Sequence, residues 1–168
     1  MSIFIKISEN EYIKEAKIED ALSLSRLSRS LEAYLFEEKM PKWFKNELSV
    51  KSFEERINSK NFIHYLYIKD QKLVGFISIK NKNHLFHLFV DKNFHKQGIA
   101  RKLWNCVCEN IDTNNMEVNA SLYAIKAYES LGFEICDKEK FYLELKFQPM
   151  IYSNLNKTCN KILNNKNN

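Results

Sequence analysis

The sequence predicts an α+β domain of the three-layer type. Its central sheet is mixed but mainly antiparallel, with about six to seven strands flanked by about four helices. Three observations predict it. Between Phe62 and Val90, three extended runs rich in β-branched and aromatic residues follow one another. Only Asp70-Gln71 and Asn81 to Asn83 separate them, which is the pattern of an antiparallel meander. At Gly98 the apolar period changes, and Ile99, Leu103, Trp104, Val107, Cys108 and Ile111 form one helical stripe directly after the His84–Val90 strand. A later helix stops at Gly132, and two more extended runs follow it.

In chain order, Ile3 to Ile7 and Tyr12 to Ala16 read as short strands. Ile18, Ala21, Leu22, Leu24, Leu27, Leu31 and Leu35 recur at helical spacing, so a long helix is expected from Ile18 to about Phe36. Glu19 and Asp20 in its first turn suit the positive end of the helix dipole. Glu37 to Lys45, with Pro41, Trp43 and Phe44, reads as a loop or a broken helix. Ser52 to Asn58 reads as a helix opened by Ser52 as N-cap, with Glu55 completing a capping box. Met116 to Ala120 is a short strand. Tyr123 to Leu131 is a helix with Ala124, Ala127, Tyr128 and Leu131 on its inner stripe, and Gly132 follows as the left-handed cap. Phe133 to Asp137 and Phe141 to Phe147 form a closing strand pair. Gln148 to Asn168 is rich in Asn and Lys and holds no acid. It reads as a disordered or loosely docked tail, with Leu155, Cys159, Ile162 and Leu163 as a weak amphipathic turn. The expected organisation is one domain over residues 1–150 and a tail over 151–168.

Composition narrows the function classes. The chain has 168 residues, enough to bury a core without disulfides or metals. Its apolar runs are too short to cross a bilayer and its N-terminus lacks signal-peptide features, so a cytoplasmic protein with no membrane partner is expected. The four cysteines, at 106, 108, 136 and 159, show no zinc spacing, and reduced thiols with no metal site are expected. The net charge is +5, and Lys157, Lys161 and Lys166 of the tail supply three of those charges. The body is therefore nearly neutral and no nucleic-acid partner is expected. The junction from His95 to Ala100 stands between a strand and a helix N-terminus. Such an end carries unpaired N–H groups and partial positive charge, and Gly98 lets backbone approach an anion.

Two motifs carry a family resemblance. Leu88-Phe89-Val90 followed by His95-Lys96-Gln97-Gly98-Ile99-Ala100-Arg101 resembles the pyrophosphate loop Q/R-x-x-G-x-G/A of the GNAT superfamily of N-acetyltransferases. The segment from Ser121 through Ala124, Tyr128 and Gly132 to Phe133 is similar to that family's N-x-x-A-x-x-x-Y-x-x-x-G-F segment. The resemblance covers roughly residues 11 to 150. Departures are His95 in place of Gln or Arg, Ala100 in place of the commoner Gly, and Ser121 in place of Asn. Asn119, two residues earlier, is the alternative for that last contact.

The resemblance implies a fold, a co-substrate and residue roles. Acetyl-CoA is the implied co-substrate, with no metal. Backbone groups of Leu88, Phe89 and Val90 would pair with its pantetheine arm like an added strand, and an N–H there would polarise the thioester carbonyl. His95, Lys96, Gln97, Gly98, Ile99, Ala100 and Arg101 would hold the pyrophosphate, and Asn119, Ser121, Ala124 and Tyr128 would complete the cofactor site. Tyr128 matches the general-acid tyrosine, and its place on an apolar stripe also fits core packing. His84 stands six before Val90, where several family members carry a Glu or His base. Plain alternation puts it on one face with Phe86, Leu88 and Val90, and puts His87 on the other. Tyr34, Phe36, Trp43 and Phe44 could line an acceptor pocket or be ordinary core. Glu37 and Glu38 could attract a cationic amine or be a solvated helix end. The activity implied is transfer of acetyl to a primary amine by direct attack, on a small amine, an amino-acid derivative or a peptide or protein amine. A homodimer is a possible assembly. The alternative is an acyl-CoA-binding sensor that does not transfer, and a third reading is nucleic-acid binding through the basic tail.

Overall fold

The computed structural model describes residues 3–36 and 39–153. Glu37, Glu38, the side chain of Tyr34, and the tail with Leu155, Cys159, Ile162 and Leu163 lie outside the described residues. Among the described residues nine strands form one sheet: β1 (Phe4–Lys6), β2 (Glu11–Glu15), β3 (Phe62–Lys69), β4 (Lys72–Lys80), β5 (His84–Val90), β6 (Met116–Ser121), β7 (Phe133–Ile135), β8 (Lys140–Tyr142) and β9 (Leu145–Tyr152). Their order is β1-β2-β3-β4-β5-β6-β9-β7, with β8 paired to β9. Every pairing is antiparallel except β5 with β6. The class is as expected, with more strands than the sequence suggested.

The meander follows from its turns. Asp70 and Gln71, and then Asn81 and Lys82, all take positive φ, the left-handed geometry that matches the twist of a tight hairpin. Helices cover both faces of β3 and β4, which is why residues 74–79 are buried without interruption. On one face Ile77, Ile79, Leu85 and Val118 pack under α5 (Ile99–Asn110), through Leu103, Trp104 and Val107. On the other, Leu66, Ile68 and Phe76 pack under α1 (Ala21–Ser30) and α4 (Val50–Ile57), through Leu24, Leu27 and Phe53. None of the helices among the described residues is long and apolar enough to cross a membrane.

Some expectations need correction. The first helix is not continuous to Phe36. Ile18–Asp20 form a single tight turn, α1 follows, and at Leu31 (φ −90, ψ 1) the chain kinks into the short α2 (Glu32–Leu35). Leu31 is buried at that kink. Of the two readings of the Pro41 segment, the structure has the broken helix: α3 (Lys42–Glu47) starts directly after Pro41. The cap of α4 is Ser49, whose hydroxyl accepts from the Ser52 N–H at 3.2 Å, three residues before the expected cap. Ser52 is inside the first turn, and its Oγ donates to the Asn46 carbonyl at 2.8 Å.

The closing strands differ most. The run read as Phe141 to Phe147 is split by a turn at Leu143, φ +50, into β8 and β9. β9 then runs on through Pro149 to Tyr152 and lies between β6 and β7. Gln148 to Tyr152 is therefore part of the sheet and not of a loose tail. Proline inside a strand reads as a boundary because it lacks an N–H, yet Met150 and Tyr152, which follow it, are buried core. Tyr152, Phe133 and Trp104 of α5 form a three-ring cluster, with Trp104 4.9 Å from each of the other two and those two 5.4 Å apart. α6 (Ile125–Leu131) ends at Gly132 as expected, at φ +102, and a Cβ there would stand 3.0 Å from the Tyr152 ring.

Candidate active site

The site begins where two parallel strands part. β5 and β6 pair only at His84–Glu117 and Leu85–Val118, although β5 continues to Val90 and β6 to Ser121. A cavity of about 530 Å³ opens in the gap. Leu88, Phe89 and Val90 supply one wall, and Ser121, Ala124 and Tyr128 supply the facing one. Leu31, at the kink, and Leu35, at the end of α2, also line it.

The loop from Val90 to α5 forms the cavity's polar end. Lys96 and Gly98 both take left-handed φ, +61 and +76, and these two reversals turn the chain so that α5 starts at Ile99 facing the cavity. A Cβ built on Gly98 meets no atom within 4 Å, so the space in front of this helix end is open. The first N–H groups of a helix have no intrahelical partner and carry partial positive charge. Lys96 and Arg101, also in the lining, add two full charges. His95 donates its Nε2–H to the Val90 carbonyl oxygen at 2.8 Å and ties the loop to the strand it has left. Arg101 donates to the Ser130 carbonyl, linking the first turn of α5 to the last of α6. No carboxylate belongs to the lining among the described residues. Open backbone N–H groups, a Cβ-free approach and two cations fit a diphosphate.

Tyr128 projects from α6 into the opposite wall. Its ring stands edge-on to Phe133 at 5.5 Å, and the residue is 8 % exposed. Burial pushes its phenol pKa well up, because the phenolate would lose solvation there. The hydroxyl therefore stays protonated at neutral pH and can donate.

Of the predicted cofactor residues, Leu88, Phe89, Val90, His95, Lys96 and Gly98 are in the lining, together with Ile99, Ala100, Arg101, Ser121, Ala124 and Tyr128. Gln97 and Asn119 are not, and both are exposed. His84 is not in the lining either, and plain alternation misplaces it. Ser78 pairs His87 while Ile79 pairs Leu85, so Phe86 is the extra residue of a β-bulge. The bulge shifts the phase of the strand: Leu85 and Leu88 both pack toward α5, and His84, opposite Lys80, falls on the other face from Leu88. It is also about 13 Å back along the strand from Leu88. Desolvation lowers its pKa, with Glu117 opposing and Lys80 adding to that shift.

His87 is a packed histidine between Phe76, Phe86 and Phe89, and burial lowers its pKa well below the usual value. His64 is buried beside Ser78, Nδ1 to Oγ 2.6 Å, and its pKa falls to about 4 through desolvation. Phe36, Trp43 and Phe44 form an edge-to-face cluster that Tyr142 of β8 joins at 5.4 Å from Trp43; none of them lines the cavity. Sequence reasoning missed Leu31, Leu35, Phe94, Tyr123 and Ser130, which do line it. Leu31 and Leu35 lie on an apolar stripe and read as core, and only the kink turns them to the cavity.

Comparison with known proteins agrees with this geometry. The family described as acetyltransferase (GNAT) domain matches residues 30–153. None of the curated proteins matches the sequence. Among solved structures, a GCN5-related N-acetyltransferase from Rhodopseudomonas palustris superposes with a TM-score of 0.72 at 16 % identity, covering 88 % of this chain and 98 % of its own. The PaiA N-acetyltransferase of Thermoplasma acidophilum, solved with coenzyme A, gives a TM-score of 0.71 at 15 % identity over 85 % of this chain and 98 % of its own. A GNAT-family acetyltransferase from Staphylococcus aureus gives 0.65 at 20 % identity over 84 % and 98 %.

Proposed function

Since the chain belongs to the GNAT acetyltransferase family, a family of acetyl-CoA-dependent N-acyltransferases, we propose that it transfers acetyl to a primary amine by direct attack, with the acceptor a small amine, an amino-acid derivative or a peptide or protein amine. The observation that carries this reading is the gap between β5 and β6. It leaves the edge of Leu88 to Val90 free for an added strand at one end of the cavity where the α5 N-terminus is open at the other. Acetyl-CoA supplies an activated acetyl thioester. The chain's part is to hold and orient it and to handle one proton. The α5 N-terminus, Lys96 and Arg101 hold the diphosphate. Backbone groups of Leu88 to Val90 hold the arm and present an N–H to the carbonyl oxygen. Tyr128 gives its proton to the departing sulfur and regains one from solvent, and solvent takes the proton that the attacking nitrogen sheds as it becomes an amide.

The reading assigns no proton transfer to His84, and the amine enters as its free base. Replacing His84 with Gln is expected to lower kcat by less than about threefold. The pH–rate profile keeps its shape, rising toward the pKa of the acceptor amine. A profile that loses a limb near the histidine range in His84→Gln shows instead that the imidazole takes the proton.

A thermal-unfolding comparison tests the binding half. Acetyl-CoA and CoA at about 100 times their dissociation constant are expected to stabilise the protein by about 2.7 kcal/mol, with no effect from ATP or NAD. Thiol release over an amine panel then tests transfer. Stabilisation without thiol release from any amine marks the protein as an acyl-CoA sensor.

A further inference from the structure

A carboxylate stands beside this anion-binding end. Glu11 opens β2 and lies opposite Lys69 at the end of β3. Its Oε1 is 2.8 Å from Lys69 Nζ, and its Oε2 accepts from the Tyr67 hydroxyl at 2.6 Å. Lys102, in the first turn of α5, donates Nζ to that same Tyr67 oxygen at 3.0 Å and lies 3.6 Å from Glu11 Oε2. Lys69 in turn reaches the loop, with Nζ 3.5 Å from Gln97 Oε1 and 5.8 Å from the centre of the Phe94 ring. Phe94 lines the cavity. One carboxylate thus gathers a phenol from β3, a lysine from α5 and a lysine that touches the loop at two residues. The bonds from Lys69 and Tyr67 hold its pKa down to about 2, so it is charged at any working pH.

A negative charge so close to a diphosphate site opposes binding by its field alone. It also neutralises two lysines that could otherwise favour the ligand. Its geometry gives it another use. We propose that Glu11 is a positioning residue for the acetyl-CoA cradle, clamping the first turn of α5 through Tyr67 and Lys102 and the Phe94–Gln97 turn through Lys69. The inference rests on the acetyl-CoA reading of the cavity. It gives Gln97, which does not line the cavity, a place in the arrangement, as the loop residue that Lys69 reaches. It also gives Tyr67, a ring with no exposed surface, a hydroxyl with a role at both ends.

Field and clamp predict opposite signs. Titrating acetyl-CoA calorimetrically into wild-type protein, Glu11→Gln and Tyr67→Phe separates them. Glu11→Gln removes a repelling charge, so a pure field effect tightens binding. Loss of the clamp weakens it, with Kd and KM rising at least about fivefold and the effect falling on KM rather than kcat. Tyr67→Phe leaves every formal charge in place, and is expected to raise Kd in the same direction. Binding to Glu11→Gln as tight as or tighter than wild type overturns the proposal, as does an unchanged Kd in Tyr67→Phe. Wild-type protein that fails to bind acetyl-CoA overturns both this inference and the reading it rests on.

Discussion

Replacing Tyr128 with Phe is expected to lower kcat by about 100-fold, the usual scale for losing a positioned proton donor. The variant keeps the ring that packs on Phe133 and loses only the hydroxyl. On the proposed reading the β5 edge and the α5 N-terminus carry most of the acetyl-CoA binding, so its KM should stay within about twofold of wild type. The pH dependence carries a further check. Burial raises the phenol pKa, so wild-type Tyr128 is a proton donor below that raised value and loses this capacity only above it. The ratio of wild-type to variant rates should therefore be constant from about pH 6 to pH 9, below even the ordinary tyrosine pKa. A kcat within threefold of wild type, measured by thiol release at saturating acetyl-CoA, removes Tyr128 from proton transfer and leaves it a packing residue.

Replacing Gly98 with Val is expected to weaken acetyl-CoA binding by at least about 30-fold while the fold survives. Two effects must be separated. The left-handed backbone at φ +76 penalises any side chain by roughly 1–2 kcal/mol, and a β-branched one at the upper end. For a domain of this size that lowers Tm by about 2–4 °C for each kcal/mol. No protein atom lies within 4 Å of the added Cβ, so no steric clash adds to it. The new isopropyl group instead occupies the open ground before the α5 N-terminus, where a diphosphate needs close approach to backbone N–H groups. Affinity should fall far more than stability. Calorimetric titration beside thermal unfolding checks both. Unchanged affinity with a lowered Tm puts the diphosphate elsewhere.

The sequence alone determined a good deal. Periodicity marked the meander, α5 and α6, because 3.6-residue and two-residue repeats of buried side chains are local facts. Gly98 and Gly132 were legible because left-handed backbone favours glycine, and both are at positive φ. The order of the two motifs around them pointed to the acetyltransferase family before any geometry. Most of the loop positions that line the cavity were legible for the same reason, since a left-handed glycine before a helix is a local mark.

Tertiary structure decided the rest. Pairing partners are non-local, so no local pattern told that β9 inserts between β6 and β7, or that it passes through Pro149. The bulge at Phe86 moved His84 away from the face of Leu88, and a single extra residue reverses a strand's faces without leaving a mark in composition. The kink at Leu31 brought Leu31 and Leu35 to the cavity from a stripe that reads as core. Glu11, Tyr67 and Lys102 stand far apart in the chain, and nothing in their spacing announces that one carboxylate joins them beside the cradle. Side-chain type and period are written along the chain; which strand edge stays open, and which charges meet there, depends on how the sheet closes.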